Sequence, residues 1–370
     1  MRIGILTSTR ADFGIYLPLI KAMMNDAFFE IKVIAFGTHL SRQHGYTIDN
    51  IINQKIKVAY KLQTLPKGDT PFDIANCMAE TTKTFSKFWN KHALEFDYVM
   101  CLGDRYEMFA AVSATIPYNL KLIHLHGGET TLGAIDNTFR HCITLASNIH
   151  FTSSSSHSKR VSQIINSKEN VFNVGALSVD NAKTMLLLSK HEFKNKFDID
   201  LNLPFILFTF HPETVNPSNS KLYIKEIVKV LSKLNERIII TAPNNDTGSE
   251  VISNELKTFV AKNKNAHWVS NFGTQGYFTC LEYCKYVMGN SSSGIVEAAS
   301  FGKYVINLGD RQKGRIAGKN VMNCKIESKE ILKTINLLEK MPKLNKNNIY
   351  GKGNTAVSII KILKKHYNKK

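Results

Sequence analysis

Two doubly wound α/β domains are what this chain predicts, on three observations. Short apolar strands alternate with helical stretches through the first half, the alternation restarts after Asp198, and polar, glycine-rich loops stand at successive strand ends. Strand–helix alternation with crossovers of this length favours a parallel sheet covered by helices on both faces. At 370 residues the chain also exceeds what one hydrophobic core usually holds.

Taken in order, the expected strands of the first half are 3–7, 31–36, 98–102, 122–125, 149–152 and 171–174, with helical patterns at 16–25 and 72–89. After Asp198 come 205–210, 237–242, 266–269, 286–288 and 304–307, with helices at 223–234, 274–284 and 293–300. The expected domains are 1–178 and 179–354. A final amphipathic helix over 355–370 is expected to pack back on the first domain. No short-period repeat or low-complexity tract interrupts them.

In open parallel sheets ligands bind beyond the carboxyl ends of strands. Seven such ends carry Arg10-Ala-Asp-Phe-Gly14, Gly103-Asp-Arg105, His126-Gly-Gly-Glu129, His211-Pro212, Pro243-Asn-Asn-Asp-Thr-Gly248, Gly289-Asn-Ser-Ser-Ser-Gly294 and Gly309-Asp-Arg311. One ligand cleft between the domains is the expectation.

Hydrophobic residues make up 43% of the chain, which argues against global disorder. No apolar run is long enough to span a bilayer, and the opening Met-Arg-Ile-Gly-Ile-Leu-Thr reads as a strand entering a turn rather than a signal peptide. Six scattered cysteines include only one close pair, Cys280 and Cys284, at helical spacing. That pattern predicts reduced thiols, a cytoplasmic protein and no metal site. The net charge of +18 comes from 48 Lys and Arg against 30 Asp and Glu. The lysines are spread along the chain with no nucleic-acid-binding motif, so a polyanionic small ligand is favoured over nucleic acid.

Ser291, Ser292, Ser293 and Gly294 precede a helical pattern, with Glu297 in its first turns. Backbone N–H groups at a helix start lack intrahelical partners, and the dipole adds positive charge, so a diphosphate binds well there. Glu297 could accept two ribose hydroxyls; a serine-rich cap with an exposed glutamate is the plainer reading. Arg311 and Arg315 add guanidinium forks that match phosphate, and His211 is a further donor. In the first half, Asp104, His126, Glu129, Asp136, Arg140 and His141 gather carboxylates and imidazoles, as proton transfer requires. Individually, Asp104 and Asp136 could be helix caps and His141 a packed helix residue. Neither a Walker lysine motif nor a full G-x-G-x-x-G occurs, and no cofactor is expected.

Together these motifs, in this order and with Asn307-Leu-Gly-Asp-Arg-Gln312 at the end, resemble the hydrolysing UDP-N-acetylglucosamine 2-epimerases, over about residues 1–355. The resemblance implies two Rossmann-like domains in the glycosyltransferase-B arrangement, with the nucleotide held mainly by the second. It matches Arg10, Arg105, His211, Asn244, Ser291, Ser292 and Glu297 to nucleotide-sugar contacts, with Arg311 in a matching turn, and Asp104 and Asp136 to catalytic acids. It further implies a dimer or tetramer and a place in sialic-acid-type synthesis. One departure stands out. His126 occupies the position of a catalytic glutamate, a feature of the branch acting on nucleotide-linked N,N′-diacetylbacillosamine en route to legionaminic acid.

The expected function is thus hydrolysing 2-epimerisation of a nucleoside-diphosphate 2-acetamido sugar, releasing UDP or GDP and a free manno-configured sugar. UDP-N-acetylglucosamine is the close alternative substrate. Asp104, His126, Glu129 and Asp136 are the candidate acids and bases, undivided among steps. A retaining glycosyltransferase of the same fold and a basic nucleic-acid binder are the rival readings.

Overall fold

The computed structural model describes residues 1–42, 45–65, 68, 70–244 and 246–368. Asn245 of the Pro243–Gly248 loop lies outside them, as do the two terminal lysines. Two compact units result: Met1–Glu129 with Asp136–Lys183 and Tyr350–Lys370, and Thr130–Ile135 with Thr184–Ile349. Relative to the expected ranges, Thr130–Ile135 belongs to the second unit, and Val179–Lys183 and Tyr350–Asn354 to the first.

Among the described residues the first unit is built on seven strands: β1 Arg2–Thr7, β2 Glu30–Phe36, β3 Val58–Leu62, β4 Tyr98–Leu102, β5 Leu122–Leu125, β6 Ile149–Thr152 and β7 Val171–Asn173. Their order is β3-β2-β1-β4-β5-β6-β7, every pair parallel. The second unit holds β8 Phe205–Thr209, β9 Arg237–Thr241, β10 Ala266–Val269, β11 Val287–Gly289, β12 Val305–Leu308 and β13 Val321–Cys324. These run β10-β9-β8-β11-β12-β13, again parallel throughout. Central strands such as β4 and β8 are buried at every position, which is why they read as unbroken apolar runs.

Helix Pro71–His92 shows how the sequence sets local structure. Thr70 and Asp73 form a capping box, proline occupies the first turn, and Ile74, Cys77, Thr81, Phe85 and Phe88 return a buried face every three or four residues. That face meets β2 through Phe36 and Phe85, whose rings lie edge-on at 4.9 Å. Trp89 is fully buried in the same cluster, and truncating it to alanine would cost about 3–5 kcal/mol.

The last helix, Thr355–Tyr367, packs on helix Arg10–Met24. Its own N-cap residue offers no side-chain bond. Instead the buried carboxylate of Asp180 accepts from the Thr355 and Ala356 N–H groups at 3.0 and 2.8 Å. A distant side chain here does the work of a local cap.

Candidate active site

In the first unit the loop after β5 is the centre. Gly128 has φ +77°, and a Cβ there would lie 2.4 Å from the His157 carbonyl oxygen. Only glycine lets helix Ser155–Ile164 approach this closely. Arg140, buried on helix Asp136–Ala146, ties the surrounding groups together. Its guanidinium pairs with Asp104 and donates to the Glu129 carbonyl at 2.8 Å. Asp136 opens the same helix, one turn before Arg140.

His126 is held at φ 64°, in the left-handed region that few non-glycine residues occupy. Its Nδ1 stands 3.1 Å from Oε1 of Glu129, which is itself almost fully buried. Among the described residues, His126 Nε2 is buried with no hydrogen-bond partner. Two residues back, on β5, His124 bridges Thr144 and the Gly103 carbonyl, the latter at 2.9 Å. Burial pushes its pKa down to about 3, against a partial rise from the Gly103 bond, so the ring is neutral and braces the residue before Asp104. His141 is also pushed down, by burial and then by Arg160 and Arg140, and both its ring nitrogens are buried with no hydrogen-bond partner among the described residues.

Arg10 and Arg105 take different places. Arg10 is the first residue of helix Arg10–Met24, and burial lowers its pKa. Arg105 grips the fully buried Glu107 with two contacts of 3.1 Å, so part of its fork is already engaged within the protein.

In the second unit Asn290, following β11, organises the phosphate candidates. Its side-chain amide accepts from the His211 N–H at 2.7 Å and donates to the His211 carbonyl at 2.8 Å. The Asn290 carbonyl accepts from Gln312 Nε2 at 2.9 Å and from Arg311 Nη1 at 3.4 Å. His211 Nδ1 accepts the Asn244 N–H at 3.1 Å, which leaves the neutral ring's proton on Nε2. Arg311 Nη2 lies 3.6 Å from Asp246, while its Nε is buried with no hydrogen-bond partner among the described residues.

The turn bearing Arg311 is fixed from two sides. Glu213 accepts the Asp310 N–H at 2.6 Å, and burial pushes the Glu213 carboxyl up. On the other side lies Thr130–Ile135. Leu132 N–H donates to the Lys313 carbonyl and Ile135 N–H to Thr214 Oγ1, both at 3.0 Å. A Cβ on Gly133 would come within 2.4 Å of the Asp310 carbonyl oxygen, so this strap lies flat on the turn.

Ser291 caps helix Ser292–Val296, its hydroxyl accepting from the Ser293 N–H. The expected helix over 293–300 is in fact this five-residue α-helix followed by 3₁₀ turns through Phe301. So short a helix leaves local N–H groups, rather than a long macrodipole, to attract an anion. Gly294 is needed for packing, since its Cβ position lies 2.9 Å from Val305. Glu297 is buried just beyond the helix.

Asn290, Glu213, His124, His157 and Ser153, whose hydroxyl donates to Glu129, build the site without being singled out as site residues by the sequence. Asn290 and Glu213 adjoin legible motifs; the other three carried no signal beyond being polar in apolar or serine-rich runs.

Two parallel α/β units of seven and six strands have the fold of the glycosyltransferase-B-like nucleotide-sugar enzymes. The fold matches UDP-GlcNAc 2-epimerase from Neisseria meningitidis bound to UDP-GlcNAc, with TM-score 0.80 and 18% identity, over 99% of this chain and 100% of that one. A family model described as UDP-N-acetylglucosamine 2-epimerase matches residues 21–364, and the chain belongs to this family. It is 35% identical to the GDP/UDP-N,N′-diacetylbacillosamine 2-epimerase (hydrolyzing) of Campylobacter jejuni, over 88% of this chain and 84% of that protein. It is 31% identical to the polysialic acid biosynthesis protein P7 of Escherichia coli, over 97% and 92%. These matches do not favour the glycosyltransferase or nucleic-acid readings.

Proposed function

We propose that this hydrolysing nucleotide-sugar 2-epimerase acts on UDP- or GDP-linked N,N′-diacetylbacillosamine. The observation that carries the assignment is His126 itself. It puts an imidazole, able both to donate and to accept, where the resemblance implies a glutamate in enzymes acting on UDP-N-acetylglucosamine. A 4-acetamido, 6-deoxy sugar replaces a hydroxyl by an amide and needs different polar partners. The name of the Campylobacter relative supports the same substrate. The Escherichia coli relative's name favours the second reading, UDP-N-acetylglucosamine and sialic-acid synthesis.

Departure of the diphosphate leads the reaction, because the C2 proton is only weakly acidic. Arg311, with its buried unpartnered Nε, the His211 ring and the N–H groups after Ser291 take up charge on the leaving group. Asp104 or Asp136 supports the oxocarbenium-like carbon. Loss of the C2 proton gives a glycal. Water then adds its oxygen at C1, and a proton returns to C2 from the opposite face, giving a free manno-configured 2-acetamido sugar for sialic- or legionaminic-type acids. Arg10, Arg105, Asn244 and Glu297 complete the nucleotide-sugar contacts in this reading. The cytoplasm is the compartment, in keeping with six cysteines that all carry free thiols.

The test compares the three nucleotide sugars in heavy water by proton NMR. Deuterium at C2 of the product and a higher kcat/KM for a diacetylbacillosamine substrate are expected. Retained hydrogen at C2 overturns elimination, and a higher kcat/KM with UDP-N-acetylglucosamine overturns the substrate.

A further inference from the structure

His126 and Glu129 belong to a longer buried chain of hydrogen bonds. Glu129 Oε1, 3.1 Å from His126 Nδ1, also accepts from Ser153 Oγ at 2.8 Å. Ser153 Oγ lies 2.9 Å from His157 Nδ1. A hydroxyl has one hydrogen, and Ser153 gives it to the carboxylate; His157 Nδ1–H must therefore donate to Ser153. His157 is buried and its ring stacks on buried Tyr350 at 6.2 Å between centroids. Every proton in the chain points toward Glu129.

This direction sets the state of His126. Glu129 Oε1 already acts as an acceptor toward Ser153, and on that reading His126 meets the same oxygen as a donor, carrying its proton on Nδ1 and keeping the lone pair on Nε2. That is the nitrogen left buried with no partner among the described residues. His126 also keeps a backbone conformation that is costly for a non-glycine residue, and an interior so arranged without a ligand-facing purpose would leave a polar atom at a cost.

We propose that His126 Nε2 is the base that takes the C2 proton, and that Glu129, Ser153 and His157 are positioning residues that lock its tautomer without touching the sugar. The inference rests on the 2-epimerase reading above. As the C1–O electron pair leaves on the diphosphate, the C2–H pair becomes the C1–C2 double bond. The proton passes to Nε2, and the imidazolium so formed faces the Glu129 carboxylate, which stabilises it. Re-protonation from the other face falls to a different group, Asp104 or Asp136, whose proton is replaced by the one that water gives up as its oxygen bonds to C1.

Histidine ¹⁵N NMR on the ligand-free enzyme reads the tautomer without any turnover. Wild type should show His126 protonated at Nδ1. Glu129→Gln presents an amide donor and should move that proton to Nε2, with kcat falling by about 10²-fold or more, since a wrong tautomer disables a base. Ser153→Ala, a milder change, should give mixed tautomers and a kcat loss of roughly 10-fold at nearly constant KM, as removal of an outer-shell partner does elsewhere; Ser153→Thr should restore both. A wild-type His126 protonated at Nε2 overturns the proposal, as does a Ser153→Ala loss of kcat with the tautomer unmoved. His126→Phe should keep UDP binding and abolish deuterium entry at C2. If deuterium enters regardless, the base is another residue although the 2-epimerase reading stands; if wild type itself incorporates none, that reading fails.

Discussion

Arg140 reaches back 36 residues to pair with Asp104, while its other arm holds the Glu129 carbonyl at 2.8 Å. A single buried guanidinium thereby sets the spacing of a carboxylate after β4 and the loop after β5. A lysine keeps the charge but offers no planar fork, so it cannot make both contacts. Arg140→Lys should lower stability by about 2 kcal/mol, the scale of one charge-assisted hydrogen bond. If the geometry is also felt in the transition state, kcat should fall roughly 30-fold, the same free energy expressed as a rate. Thermal unfolding and initial-rate kinetics check the two effects, and an unchanged kcat would separate Arg140 from catalysis.

His124 gives a pH dependence with a definite sign. Its folded-state pKa is depressed from 6.5 to about 3, first by burial. Between those values the unfolded chain binds a proton that the folded ring does not. The contribution to stability is therefore complete above pH 6.5 and is lost as pH falls toward about 3. His124→Gln preserves a donor for the Gly103 carbonyl but does not titrate. Denaturation midpoints from about pH 7 to about pH 4 should fall less steeply in the variant, by up to about 1.4 kcal/mol per pH unit. Parallel slopes would show that His124 is protonated in the folded protein.

Asp136→Asn and Arg311→Ala should separate turnover from nucleotide affinity. Asp136 opens the helix that carries Arg140, and as a candidate acid or base its amide variant should bind UDP normally and turn over about 10²-fold more slowly. Arg311 lies in a turn clamped by Glu213 and Asn290, and removing it should weaken UDP binding by roughly 10-fold or more, the value of a charge-assisted contact. Calorimetric titration with UDP decides this, and equal loss of binding in both variants would contradict the division of roles.

What the sequence makes legible follows its physics. Strands buried on both faces, such as β4, β5 and β8, stand out as apolar runs. The edge strands β3 and β13 escape detection because Val58–Leu62 and Val321–Cys324 are only partly buried and mix polar with apolar residues. The site shows the same divide. Asp104, His126 and Glu129 are visible as motifs at strand ends. Their partners Ser153 and His157 meet them only through folding, and although Arg140 is visible its pairing with Asp104 spans a separation that no local pattern encodes. Arg105 is the converse case, since a motif position does not reveal that Glu107, two residues on, occupies its fork.

The strap Thr130–Ile135 makes the second unit discontinuous in a way that bears on how it could ever exist alone. A fragment spanning 184–349 would lack the six residues whose Leu132 and Ile135 N–H groups cover the Lys313 carbonyl and Thr214, and whose Gly133 lies on Asp310. Severed from the strap, the turn carrying Arg311 would face water on a side evolved for backbone contact. The second unit is therefore not a transferable module. Excision, fusion or shuffling of it would have to carry along a hexapeptide inherited from the opposite half of the gene.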